Sequence, residues 1–482
     1  MARQTRRNFL KKSASAGAAY SLFTISGTKS SGEVVGANDK VRVAVVGIKG
    51  RGSSHYSAYA KIEGVEVSHL VDVDTNQFEP AKKRLASAGA PAPKCVQDVR
   101  EVFDDPNVDA ISIATCNHTH SLYTVWGCQA GKDVYVEKPM SHNVFEGRQC
   151  VEAARRYERI VQHGTQQRSK QSRANEIAAV QSGDYGKLLV SKGYCCKARW
   201  SIGVKPIEAP PANLDFKLWL GPAPDQPYHG NLVHYNWHWF WDFGNGDIGN
   251  QGVHEMDVAR WAIPGATLPT RIWSLGGRFG YEDQGQTPNT QLTAMEFGDV
   301  TLLFETRGLV NKHDGFGPQV HNEYYTTEGM IKEEQFYPKD GGEAVPVSGG
   351  TPQQVAQAEH APFGCFINAM RSRRPEDNNA DAEVAHYSAA LCHLGNISYR
   401  LGEPVPFDAR QQSLGDNKQV VEAFEVVKAN CRAVGMDLAD STYQMGRVLE
   451  FDPQTERFVG DEQANRLLTR EYRAPFVVPK TV

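Results

Sequence analysis

Cysteine is sparse and unpatterned in this chain. Nine occur in 482 residues, at Cys95, Cys116, Cys128, Cys150, Cys195, Cys196, Cys365, Cys392 and Cys431. The count is odd and no Cys-x-x-Cys pair occurs, which argues against a disulfide framework or a zinc ribbon. The adjacent Cys195-Cys196 falls in a strand pattern and reads as core. His234, His238 and His254 have no carboxylate or cysteine at a matching ligand spacing, so no metal is expected. Phosphate-loop, Ser-His-Asp and nucleic-acid signatures are missing, as are internal repeats and low-complexity linkers. Charge of one sign is missing too: 52 Lys and Arg against 56 Asp and Glu leave a net charge of −4. That balance gives no electrostatic reason for a nucleic-acid partner. Beyond residue 37 no uncharged apolar run is long enough to cross a bilayer.

What is present is an ordinary globular composition, 40% apolar and 22% charged, in a length suited to two domains plus tails. The start reads Thr5-Arg6-Arg7-Asn8-Phe9-Leu10-Lys11, followed by an Ala-rich stretch and a Gly/Ser-rich run to Ala37. Paired arginines, a short apolar region and a small-residue exit predict a twin-arginine export signal over residues 1–37 and a periplasmic or otherwise exported protein. No cysteine lies near the exit, so no lipid anchor is expected after signal removal.

From Val41 onward, short β-branched runs alternate with helical segments, the pattern of right-handed crossovers and a parallel sheet. The first strand runs into Gly47-Ile48-Lys49-Gly50-Arg51-Gly52 and then a helix. Glycines there let backbone approach a pyrophosphate at a helix N-terminus. The usual G-x-G-x-x-G spacing is altered, because Lys49 stands at the third position. Asp72 follows at the end of the second strand, where a carboxylate bonds an adenosine ribose and repels a 2′-phosphate. NAD is therefore the expected cofactor, with NADP the alternative that Arg51 would admit. Two polar clusters end later strands: Thr115-Cys116-Asn117-His118-Thr119-His120 and Glu137-Lys138-Pro139. A doubly wound sheet places its ligand at such strand ends.

These residues, together with Gly252-x-His254-x-x-Asp257, resemble the Gfo/Idh/MocA oxidoreductases, the glucose–fructose oxidoreductase and inositol dehydrogenase group. The likeness spans about residues 40 to 400. It implies a Rossmann NAD(P)-binding domain over 38–164, then an α+β domain over 165–402 with a large, mostly antiparallel open sheet. That sheet would serve substrate and homo-oligomer contacts. Residues 403–482 exceed the usual family length and are expected to wrap back on the fold. The resemblance places Lys138 beside nicotinamide and substrate, and puts Asn117 and His120 in the same pocket. Gly47, Lys49, Gly50, Arg51, Gly52, Asp72, Thr115, Asn117, His120, Glu137 and Lys138 are the expected cofactor residues.

Six of the eight tryptophans lie between Trp200 and Trp261. Trp237, Trp239 and Trp241 alternate with His238 and Phe240. An aromatic face suits the apolar C–H side of a sugar ring, so a carbohydrate pocket is expected near residues 234–254. His254 resembles the family's catalytic histidine. Where sugar dehydrogenases of the family carry Asp in Asp-x-x-x-His, this chain has Asn250, which hydrogen-bonds but takes no proton. Acid/base work would then fall on Lys138 and His254. Substrate contacts are expected from Arg168, Tyr194, Trp237, His238, Asn250 and His254, with His386 a weaker candidate. Three functions follow: an NAD(P)-dependent oxidoreductase of a sugar, cyclitol or glycoside hydroxyl; an NAD-dependent glycoside hydrolase working by transient oxidation and elimination; or a sugar-binding protein with decayed catalysis.

Overall fold

The computed structural model describes residues 40–310, 316–408, 414–415 and 417–482. The arginine pair and the rest of the export pattern lie outside the described residues.

Among the described residues the first sheet has six parallel strands: β1 (Val41–Val46), β2 (Val65–Val71), β3 (Lys94–Val96), β4 (Ala110–Ile113), β5 (Asp133–Val136) and β6 (Val161–His163). Their order is β3-β2-β1-β4-β5-β6. The order reverses between β1 and β4, and the crevice beyond their carboxyl ends is where such a sheet binds ligands. Helices cover both faces, so β4 and β5 are buried at every residue. β3 is the one strand here that the sequence pattern did not suggest. It has three residues, too few for a period to show.

The second sheet is mostly antiparallel. Its centre runs β11 (Gln319–Thr326), β7 (Leu188–Cys196), β10 (Val300–Arg307), β9 (Thr290–Phe297) and β8 (Arg271–Gly277), with only the β7–β10 pair parallel among the described residues. One face packs on helices Val253–Trp261 and Ala382–Arg400 through Met256, Val258, Leu391 and Leu394. Helix Lys418–Ala433 lies on the other face, setting Phe424 and Val427 against Trp273, Leu292 and Leu303. That part of the expected open face is therefore covered.

The two sheets share helices. Helix Phe363–Ser372 buries Phe363, Phe366 and Met370 against β1 and β5 of the first sheet. Ala380 accepts the His163 N–H at 2.8 Å, so the chain after the second sheet returns to the edge of the first. The last residues cross back as well. Arg473 donates to the carbonyls of Lys217 (2.6 Å) and Ala223 (3.2 Å), and Phe476 packs on Trp126.

Candidate active site

β1 ends at Gly47, whose φ is +78° and whose hypothetical Cβ would sit 2.8 Å from the Ala114 carbonyl at the end of β4. Gly50 has φ +55° and open space in front of it. Both positions need the left-handed region that glycine tolerates. Gly52 faces away from the cleft, and a Cβ on it would collide with the Gly47 carbonyl oxygen. The shifted glycine spacing thus still builds a tight turn between β1 and helix Arg51–Tyr59. That helix starts with no side-chain cap and no acidic residue in its first turn. An open helix N-terminus behind a bare glycine suits a pyrophosphate, so this turn fits the NAD that the fold implies.

Asp72 closes the turn from the other side. Its two oxygens accept the backbone N–H groups of Ile48 and Asp74, each at 3.0 Å. Burial pushes its carboxyl up to about 6. It lines the cleft and braces the glycine turn at the same time.

A cleft of about 620 Å³ runs from Asp72 past the glycine turn to the second sheet. Gly47, Lys49, Gly50, Arg51, Asp72, Thr115, Asn117, His120, Glu137, Lys138, Trp237, Asn250 and His254 line it. Several are already engaged. Arg51 donates to Glu137 at 2.7 Å, and its guanidinium lies 5.8 Å from the Phe363 ring. It faces Glu137 rather than waiting for a 2′-phosphate. His55, which the sequence reading missed, bridges Glu137 (3.2 Å) and Ser112 (2.8 Å). Burial opposes ionisation of Glu137, but His55, Arg51 and Lys138 outweigh it and hold the carboxyl well below the usual range. His120 sits between the Pro139 and Thr115 carbonyls, its ring nitrogens 2.7 and 3.0 Å from them, and so spans the two strand-end turns, donating to one of the two. Asn117 donates to Asn245 at 3.0 Å.

Lys138 and His254 meet at the far end of the cleft. Lys138 follows β5, and its Nζ donates to the Asn250 carbonyl oxygen. Burial lowers its pKa, against the attraction of Glu137 and Asp247. His254 stands in the first turn of helix Val253–Trp261. Burial, then the neighbouring Lys138 cation, brings its pKa down to about 3. The arrangement pairs a cationic amine with a neutral imidazole on one wall.

Three expected substrate contacts lie elsewhere. Arg168 is buried in a two-pronged ion pair with Asp257, 2.8 Å on each prong, and stacks on Trp261. Tyr194 is buried on the second sheet and donates to Glu323 at 2.7 Å. His238 turns inward to the Tyr235 carbonyl at 2.7 Å. Residues 236–239 form a 3₁₀ turn rather than a strand, so the period-two reading of the tryptophans did not apply. His386 pairs with Glu456 at 2.9 Å, away from the cleft. The cleft instead gains Lys197, Arg199 and Gln251 toward Lys138, His234 paired with Asp74, and Tyr123, Leu218, Trp219 and Phe476 toward its other end. The paired basic residues just after β7 were a signal available in the sequence. Phe476 was not legible, because its contact depends on how the last residues cross the surface.

Two family models match this chain. "Oxidoreductase family, NAD-binding Rossmann fold" covers residues 41–165, and the C-terminal alpha/beta domain of the same family covers 181–271 and 423–478. The second match resumes at residue 423 and runs to 478, within the stretch expected to wrap back on the fold. An inositol 2-dehydrogenase of Rhodococcus jostii is 22% identical over 78% of this chain and 95% of that protein. A glycosyl hydrolase family 109 protein of Shewanella pealeana is 25% identical over 36% of this chain and 39% of that protein. A levoglucosan dehydrogenase solved with NADH superposes with TM-score 0.52 at 16% identity, over 73% of this chain and 95% of that one. The glycine turn, the braced Asp72 and the two domain matches, which together span more than half of the sequence, agree: the chain belongs to the Gfo/Idh/MocA family of NAD-binding oxidoreductases.

Proposed function

We propose that the protein oxidises a hydroxyl of a sugar, cyclitol or glycoside with a tightly held NAD. The observation that carries this reading is the meeting of Lys138 and His254 on one wall of the cleft that begins at the glycine turn. The turn and helix Arg51–Tyr59 would hold the pyrophosphate, and Asp72 the adenosine ribose. When bound, the nicotinamide supplies hydride acceptance and return. Lys138 donates to the substrate oxygen and favours its developing charge. His254, neutral above about pH 4 because its pKa is about 3, takes the hydroxyl proton as the carbon–oxygen double bond forms. Asn250 orients the substrate and, through its carbonyl, the lysine. Two retained acid/base groups in the cleft speak against decayed catalysis.

A second observation supports the redox-neutral variant, glycoside cleavage by transient oxidation and elimination. The cleft beyond Asp72 is walled by Trp219 and by Phe476 of the C-terminal segment. A cofactor lying against these rings would leave slowly and be re-oxidised in place. Such retention also suits export in the folded state, which the Arg6-Arg7 pattern supports; a double change to lysine should abolish it, with cell fractionation as the readout. The test of function is mass spectrometry of nucleotide released from purified protein, then absorbance of bound reduced cofactor across a panel of sugars and glycosides. Released aglycone without net reduced cofactor marks the hydrolase. Net transfer to an acceptor marks the dehydrogenase. Protein that takes up no NAD contradicts both.

A further inference from the structure

The cleft has more positive charge at its Lys138 end than the chemistry above requires. Lys197 and Arg199 follow β7 two residues apart and so share a side of the chain. Their backbone is pinned to the end of β10, with Lys197 N–H on the Arg307 carbonyl (3.2 Å) and Arg199 N–H on the Gly308 carbonyl (2.7 Å). Both side chains line the cleft with Trp237, Gln251 and His254.

Their partners differ. Arg199 donates Nε and Nη2 to one Asp247 oxygen, at 3.2 and 3.0 Å. Lys197 donates to the amide oxygen of Gln251 at 2.9 Å, which carries no full charge. Lys138 likewise rests on a carbonyl oxygen. Glu137 is committed to Arg51 and His55. Glu255 is buried in the next turn, where burial pushes it up to about 8, so it is neutral at physiological pH. His254 and His238 are also neutral, both brought well below their ordinary value by burial. Lys138, Lys197 and Arg199 thus face two carboxylates, Asp247 and Glu137, of which Glu137 is already bonded to Arg51. Lys138 is used on the reacting oxygen, which leaves Lys197 as a positioned, half-buried cation whose hydrogen bond goes to a neutral amide and whose nearby carboxyl, Glu255, is itself disfavoured from ionising by burial. Holding it there costs solvation that an anion would restore.

We propose that the substrate is an acidic carbohydrate whose carboxylate or phosphate is held by Lys197 and Arg199, with Trp237 beside the ring. This rests on the reading of the cleft as a carbohydrate oxidoreductase site. It adds what that reading leaves open, the charge class of the substrate.

The test is calorimetric titration of the NAD-loaded protein with uronic acids, sugar phosphates and their neutral parent sugars, at low and high salt. One acidic class should bind at least tenfold more tightly than its neutral parent, and the advantage should shrink as salt rises. Which class binds distinguishes a carboxylate from a phosphate. Lys197→Gln should erase most of that advantage, weakening the acidic sugar far more than its neutral parent, and Lys197→Arg should retain it. Should Lys197→Gln fail to fold, the charge preference and salt dependence of the parent protein still decide the matter. Neutral sugars binding as tightly as either acid, or Lys197→Gln weakening neutral and acidic sugars alike, would overturn the proposal. If neither class binds or reduces the bound cofactor, the carbohydrate reading itself falls.

Discussion

At the scale of single residues, the site rests on two groups whose charges oppose each other. The Lys138 cation helps bring His254 down to about 3. Removing that cation should therefore raise the imidazole pKa, a shift that NMR titration of Lys138→Ala would detect. His254→Ala and Lys138→Ala should each lower kcat about 100-fold or more, the scale of general acid/base groups, with NAD still bound. Asn250→Asp places a negative charge in the same wall. It should raise the His254 pKa and move the acid limb of the pH–rate profile upward. An unmoved profile would show that position 250 does not act on the imidazole.

At the scale of elements, the glycine turn carries the clearest structural demand. Gly52→Ala sets a Cβ against the Gly47 carbonyl oxygen and should destabilise by about 1–3 kcal/mol, the usual cost of overpacking. Gly50→Ala meets open space at φ +55° and should cost only about 1–2 kcal/mol of backbone strain. Thermal unfolding of the two variants would order them. Asp72→Ala removes acceptors from two backbone N–H groups. It should weaken NAD by about 1–3 kcal/mol, and part of that loss reflects a slackened turn. The first sheet was legible because its strands are buried on both faces and read as apolar runs between turn signals. The glycine turn, Asp72 and the Glu137-Lys138-Pro139 cluster stood out because backbone geometry and strand ends restrict what fits there. Arg168, Tyr194 and His238 were misplaced for a common reason. Each is a polar side chain that found an internal partner, and nothing in local sequence separates a buried ion pair from a substrate contact. Short edge strands escaped because long-range packing, not local period, defines them, whereas a helix at about Lys418 to Val434 was legible and lies at Lys418–Ala433.

At the scale of the whole molecule, burial of neutral histidines sets the pH response. His118, His163, His238, His254 and His393 are brought down to between about 3 and about 4, chiefly by burial. Unfolded, they take up protons near 6.5, so the stability they confer is present above that pH and is lost as pH falls toward 4. Asp72, Asp133, Glu146 and Glu255 act in the opposite sense, because burial raises all four. Burial also lowers His55, His120, His142 and His386, so the imidazoles outnumber these carboxyls and the unfolding temperature should drop steadily from pH 6.5 to 4; a flat profile would contradict these burials. The C-terminal crossing makes a separate demand. Arg473→Ala removes its bonds to the Lys217 and Ala223 carbonyls and should speed NAD release roughly tenfold, the scale of one or two hydrogen bonds. Decay of bound reduced-cofactor fluorescence against excess NAD would measure it.

The central claim is that Lys138 and His254 run hydride chemistry on a carbohydrate with a cofactor that stays in place. Single-turnover reduction of the co-purified NAD by a sugar panel, in the parent protein and in His254→Ala, tests it most directly. The account expects a burst of bound reduced cofactor in the parent and a rate about 100-fold lower in the variant at equal NAD occupancy. A parent that carries no NAD, or a His254→Ala variant that reduces it at the parent rate, would contradict it.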